Sequence, residues 1–255
     1  MTWLELLALL GAGAAAGLIN TVVGSGTLVT FPTLLALGVP PVTANVSNSV
    51  GLTPGSLSGA LATRPELAGQ RSRVLRLGSA SLIGGIVGAV LLLRLPPAAF
   101  DAIVPALIGL GCLLVVVQPV LSRRLAARRE RLGVGTGSAY GPAGLWLAVL
   151  LTGVYGGYFG AAQGVLLIAV MGIGLAETLP RINAVKNVLA LIVNGIASLV
   201  FVFVAEVDWT AAGLIAVGSV LGAQVGGRVG RRLPPLLYRV VIVAVGVAAI
   251  VNLLR

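Results

Sequence analysis

Ten hydrophobic segments follow one another along this chain, near residues 3–23, 27–38, 43–63, 74–94, 99–121, 140–161, 163–175, 180–204, 210–227 and 235–254. Most of the charge falls in the short stretches between them, and a run such as Ile103–Val117 contains none. Separate apolar segments cross hydrocarbon as helices, because each helix satisfies its own backbone N–H and C=O groups. Composition points the same way: 58% of the 255 residues are hydrophobic, 9% are charged and the mean hydropathy is +1.07. A soluble domain carries about a quarter charged residues. The sequence therefore predicts an all-α, polytopic membrane protein with about 8–10 transmembrane helices.

The net charge of +10 comes from 17 basic and 7 acidic residues, and every base except Lys186 is an arginine. The arginines bunch between apolar runs, which is the pattern of membrane topology signals and not of nucleic-acid binding. Placing the N-terminus outside puts three basic connections inside: Arg64, Arg71, Arg73 and Arg76; Arg123, Arg124, Arg128, Arg129 and Arg131; and Arg228, Arg231 and Arg232. The other side receives Arg94, Arg255, Glu206 and Asp208. Both termini are thus expected on the non-cytoplasmic side of the cytoplasmic (inner) membrane. The start, Met1-Thr2-Trp3-Leu4-Glu5, lacks the basic region of a signal peptide and reads as an uncleaved first helix. Cys112 is the single cysteine and there is no histidine, so no disulfide, metal site or histidine proton shuttle is expected.

Segments two and seven are short. Thr27–Gly38 and Gln163–Leu175 would each reach roughly 20 Å at 1.5 Å per residue, against a hydrocarbon core of about 30 Å. They read as half-helices or as re-entrant hairpins. They also occupy matching places in an internal repeat. Gly13, Gly17, Gly24 and Pro40 fall on Gly153, Gly157, Gly164 and Pro180, and Arg94-Leu95-Pro96-Pro97 falls on Arg232-Leu233-Pro234-Pro235. Each unit holds five segments, an odd number, so the second is expected to be inverted relative to the first. The division is 1–121, a basic cytoplasmic linker at 122–139, and 140–255. A pair of short, Gly/Pro-interrupted segments in corresponding positions is the sequence pointer to a transporter's substrate site.

Around the first short segment the chain reads Gly17-Leu18-Ile19-Asn20-Thr21-Val22-Val23-Gly24-Ser25-Gly26-Thr27. Its glycines free the backbone to present amides and hydroxyls, and a helix beginning after Gly26 would aim its positive end at an anion. Close packing of small residues is the competing explanation. Asn45 and Asn48 share a helix face beside Ser47, and Asn183 and Asn187 share one in the second unit. Such amides either line a wet cavity or bond between helices. Lys186 either balances a substrate anion or snorkels to the cytoplasmic interface like Arg181. Glu177 would pair with either base.

The run Gly17-x-x-Asn20-Thr21-x-x-Gly24-x-Gly26, followed by Pro40-Pro41, Ala44-Asn45-x-x-Asn48 and Pro54-Gly55, resembles the sulfite exporter family of the TauE/SafE type. The turn Tyr155-Gly156-Gly157-Tyr158-Phe159-Gly160 and the stretch Asn183-x-x-Lys186-Asn187 resemble that family's second half. The resemblance spans essentially the whole chain. It implies an inner-membrane carrier of small anions, among them sulfite, thiosulfate and sulfonated or carboxylated two-carbon acids. One departure is Gly160 where the first unit has Asn20, and another is Gln163 in place of a small polar residue, so the site is expected to be asymmetric.

The expected function is secondary transport of such an anion by alternating access. Its cavity would be lined by Asn20, Thr21, Gly24, Gly26, Thr27, Asn45, Asn48, Tyr155, Gly157, Gln163, Gly164, Asn183, Lys186 and Asn187. A passive anion channel through the same cavity is the alternative, and a flippase for a lipid-linked substrate ranks below it. No nucleotide loop, His/Cys cluster or Ser-His-Asp set speaks for an enzyme. The expected partners are a small anion and the lipid bilayer, with no cofactor and no nucleic acid.

Overall fold

The computed structural model describes residues 2–132, 143–175, 177–229 and 235–253. Among them the chain forms ten α-helices: α1 (Trp3–Val22), α2 (Thr27–Ala36), α3 (Pro41–Ala62), α4 (Arg71–Arg94), α5 (Pro97–Leu132), α6 (Ala143–Tyr158), α7 (Gln163–Gly174), α8 (Leu179–Val204), α9 (Trp209–Val229) and α10 (Pro235–Leu253). A single 3-10 turn, Arg64–Leu67, joins α3 to α4. The ten predicted segments map one to one onto these helices.

One boundary moves. The segment expected to stop near residue 121 continues as helix to Leu132. Apart from Ser122, the arginine-rich stretch that follows Val120 is built from Leu, Ala, Arg and Glu, all strong helix formers, so helix propagates past the apolar run. The rest of the expected linker and the second Arg-Leu-Pro-Pro up to Pro234 lie outside the described residues.

Among the described residues, five helices are long and apolar enough to cross a membrane: Trp3–Val22, Arg71–Arg94, Pro97–Val120, Leu179–Val204 and Trp209–Arg228. α3 has the length, at 22 residues, but carries polar side chains that point inward. Asn45, Ser47 and Asn48 are all fully buried against protein. Leu82, Ile83, Ile86 and Val87 on α4, and Leu113, Val116 and Val117 on α5, face outward instead. Polar residues inside and apolar residues outside is the arrangement that lipid, not water, selects.

Glycine stripes bring the helix axes together. α1 lies along α9, where a Cβ on Gly17 would run into the backbone of Ser219 and one on Gly222 into that of Ala14. α6 lies along α4 in the same way, with Gly88 against Val154 and Gly157 against Gly85. In both pairs the contacts advance in the same direction along the two helices, so the pairs are parallel. α3 packs on α9, α8 packs on α4, and α3 meets α8 antiparallel, with Thr53 opposite Ser198 and Thr63 opposite Asn187. α5 pairs with α10, α2 reaches α10, and α7 reaches α5. With no hydrophobic drive between helices in lipid, close backbone approach of this kind supplies the association.

Candidate functional site

Both short helices begin in the middle of this assembly. α1 ends at Val22, and the chain turns through Gly24 at φ +89°, a left-handed conformation suited to glycine. Asn20 Oδ1 then accepts a hydrogen bond from the Gly26 amide at 2.7 Å and so satisfies a donor at the start of α2. The second turn follows α6. Gly160 at φ +77° and Ala162 at φ +58° reverse the chain before α7, and Tyr155 Oη donates to the Ala161 carbonyl at 2.6 Å. Phe159 in this turn packs edge-on against Phe31 of α2, with ring centroids 5.1 Å apart.

The turns touch backbone to backbone. The Gly164 amide donates to the Gly24 carbonyl at 3.0 Å. A Cβ on either glycine would overlap the main chain of the other. The starts of α2 and α7, with their positive dipole ends, are therefore held side by side.

α8 adds a cation. Lys186 is completely buried, and its Nζ donates to the Asn20 carbonyl at 2.8 Å and to the Thr21 carbonyl at 3.4 Å. These are last-turn carbonyls of α1, where the helix dipole is negative. No ion pair reaches Lys186 among the described residues. The snorkelling alternative is thereby corrected: the ammonium is completely buried and donates its hydrogen bonds to the α1 carbonyls. On the same cavity the Nε2 of buried Gln163 has no hydrogen-bond partner, and in the first turn neither has the hydroxyl of buried Ser25. Unmet buried polar groups cost about 1–3 kcal/mol each.

Asn20, Thr21, Thr27, Gly59, Gln163, Lys186 and Asn187 surround a cavity of about 30 Å³. That volume admits roughly two water molecules. Its lining is rich in donors and carries no carboxylate.

The sequence matches the family described as sulfite exporter TauE/SafE over residues 9–253. The chain belongs to the TauE/SafE family. It is 27% identical over 247 residues to the probable membrane transporter protein YfcA of Escherichia coli K12, covering 94% of this chain and 86% of the relative. It is 27% identical over 226 residues to a probable membrane transporter protein of Haemophilus influenzae, covering 88% and 85%. It is 28% identical over 256 residues to the probable membrane transporter protein ORF9 of a Sinorhizobium species, covering 98% and 93%. With its apolar helices, this TauE/SafE member is a multi-pass membrane transporter.

Not every residue singled out in this TauE/SafE sequence meets at the cavity. Asn20, Thr21, Gly24, Thr27, Gln163, Gly164, Lys186 and Asn187 do. Gly26 packs on the backbone of Ala16, and Gly157 on that of Gly85. Tyr155 braces the second turn from outside the cavity. Asn45 donates to the Tyr158 carbonyl at 2.9 Å, tying α3 to the end of α6. Asn48 accepts from Thr30 and donates to Thr27 Oγ1 at 3.5 Å, which holds the first turn of α2. Asn183 donates to the Thr21 carbonyl at 3.2 Å and faces a different chamber.

Sequence reasoning missed Gly55, Ser56 and Gly59 as lining residues, together with Ala190 and Asn194. Asn194 donates to Ser56 Oγ at 3.0 Å across the antiparallel α3–α8 contact. Their signal was available: Ser56 and Gly59 continue the inward face of α3 begun by Asn45 and Asn48, at helical spacing.

Beyond Asn20 and Thr21, at the end of the molecule where α3 gives way to α4, Glu177 binds two arginines. It pairs with Arg73 at 3.2 Å and with Arg181 at 2.8 Å. Gln70 Nε2 donates to the Arg181 carbonyl at 3.2 Å, so the α3–α4 and α7–α8 connections are clamped together. Burial works to raise the Glu177 carboxyl, but hydrogen bonds and charge from Arg181 and Arg73 outweigh it and hold it below the usual glutamate range.

Proposed function

We propose that this protein carries a small anion of the sulfite, thiosulfate, sulfonate or small organic acid class across the cytoplasmic membrane by alternating access. The observation that carries the reading is Lys186, a fully buried cation without a carboxylate partner among the described residues, beside the paired N-terminal ends of α2 and α7. A buried charge needs compensation, and the carbonyls of Asn20 and Thr21 supply only partial charges. An oxyanion would complete it, with a further oxygen accepting from Gln163 Nε2 on the same cavity.

The packing supports two inverted units, 1–121 and 140–255, joined by the basic cytoplasmic segment 122–139. Exchanging α1 with α6, α2 with α7, α3 with α8, α4 with α9 and α5 with α10 converts α1·α9 into α6·α4, α3·α9 into α8·α4 and α2·α10 into α7·α5. The α3·α8 and α5·α10 contacts exchange into themselves. Both termini then lie on the non-cytoplasmic side, and the site sits where the units meet. Because the cavity holds only about 30 Å³, substrate enters when the units separate around Lys186. A cavity this narrow favours a carrier over a passive channel.

Thermal stability of the detergent-purified protein against sulfite, thiosulfate, sulfate, sulfoacetate, glycolate and chloride tests the assignment. An anion at about 100 times its Kd adds roughly 2.7 kcal/mol to the folded state. One or two anions should raise the Tm of the native protein and leave Lys186→Gln unmoved. An equal rise in both proteins would remove Lys186 from the site.

A further inference from the structure

A second chamber, of about 270 Å³, shares Thr21 with the anion cavity and is lined by the first turn of α8 and by a set of oxygen acceptors. Three helices present their C-terminal ends to it: α1 through Thr21 and Val22, α3 through Thr63, and α9 through Gly226 and Gly227. Helix C-termini concentrate carbonyl oxygens and negative potential. Glu66 contributes a carboxylate to the same wall. Asn183 Oδ1 and Gln118 Oε1 are buried acceptors with no hydrogen-bond partner, and both residues line the chamber. The orientation of Asn183 is fixed, since its Nδ2 donates to the Thr21 carbonyl and leaves Oδ1 free to turn into the space.

The geometry points to a binding site for a coupling cation, sodium, in this chamber, held by Asn183 Oδ1, Gln118 Oε1, the Glu66 carboxylate and helix-end carbonyls. Hard cations take all-oxygen ligand sets of amide, carboxylate and main-chain groups. A proton would need only Glu66, and it would leave the two amide oxygens unmatched. Half-helix C-terminal ends and unwound carbonyls are where secondary transporters hold their coupling ions. The two sites share their supports. Thr21 offers its carbonyl to both Asn183 and Lys186, and Asn187, on the anion cavity, donates to Thr63 of the cation chamber at 3.2 Å. A cation that draws on the Thr21 and Thr63 oxygens therefore acts on the groups that position Lys186 and Asn187.

This inference rests on the anion-carrier reading for its role in coupling, but the binding itself is measured without any substrate anion. The purified full-length protein is titrated with sodium, potassium and choline gluconate at constant ionic strength, following Tm, and at two pH values. Sodium alone should raise Tm, with half-saturation moved at least tenfold higher in Gln118→Leu and in Glu66→Gln. Asn183→Ala serves as a third variant should either fail to fold. Equal shifts from all three salts would overturn the site, as would a sodium response unchanged in these variants. A response to pH alone that disappears in Glu66→Gln would also overturn it, in favour of a proton. Sodium binding that fails while the anion response of the native protein persists removes the coupling site and leaves the carrier reading intact.

Discussion

Lys186 and Asn20 carry opposite ends of one local arrangement. The ammonium donates to the main-chain carbonyl of Asn20 while the Asn20 side chain accepts the first amide of α2. Asn20→Ala frees the Gly26 amide and should cost about 1 kcal/mol, the ordinary price of a lost helix-start acceptor. It should also loosen the carbonyls that hold Lys186. Differential scanning of the purified variant measures the first effect, and a weaker anion-induced Tm shift reports the second. Asn20 was legible in the sequence as a polar residue that packing alone does not require. Its partner was not, because the Lys186 contact joins residues 166 positions apart and no local pattern encodes it. The same distance explains why Lys186 divided between two readings: its sequence neighbours Arg181 and Glu177 belong to the solvent end, whereas its spatial neighbours are the two turns.

Among the elements, the two glycine turns and the Glu177 clamp bear the most. Gly24→Ala places a side chain at φ +89° and drives its Cβ into Gly164, so both strain and overlap oppose it. The substitution should destabilise the protein by more than about 1 kcal/mol and abolish the anion response, as read by Tm with and without ligand. Glu177 gives a pH-dependent prediction. Its carboxyl is held below the ordinary value in the folded state, so the stability it contributes is present above the unfolded pKa and is lost as pH falls through the folded one. The native protein should exceed Glu177→Gln by about 1 kcal/mol near neutrality, with the gap closing below pH ~4. A gap that persists in acid would mean the clamp is held by something other than the ion pairs. Both short helices were legible as such from their length and flanking glycines. That α5 runs on to Leu132 was not, since hydropathy marks where apolar character stops and not where helix stops.

Across the whole molecule, ten helices were readable because lipid imposes one rule on every segment. Which helices pair was beyond reach, because small-residue stripes on α1, α4, α6 and α9 look alike in sequence and only the fold selects α1 with α9 and α4 with α6. Those pairings join helices from the first half of the chain to helices from the second, and each half contributes a glycine turn to the one cavity that holds Lys186. Counterflow in proteoliposomes tests this most directly: vesicles are loaded with an anion that raised Tm, and uptake of the same labelled anion is followed from outside. The native protein should show uptake accelerated by internal anion and Lys186→Gln should show none, while equal counterflow in both would contradict the buried lysine as the charge that binds the substrate.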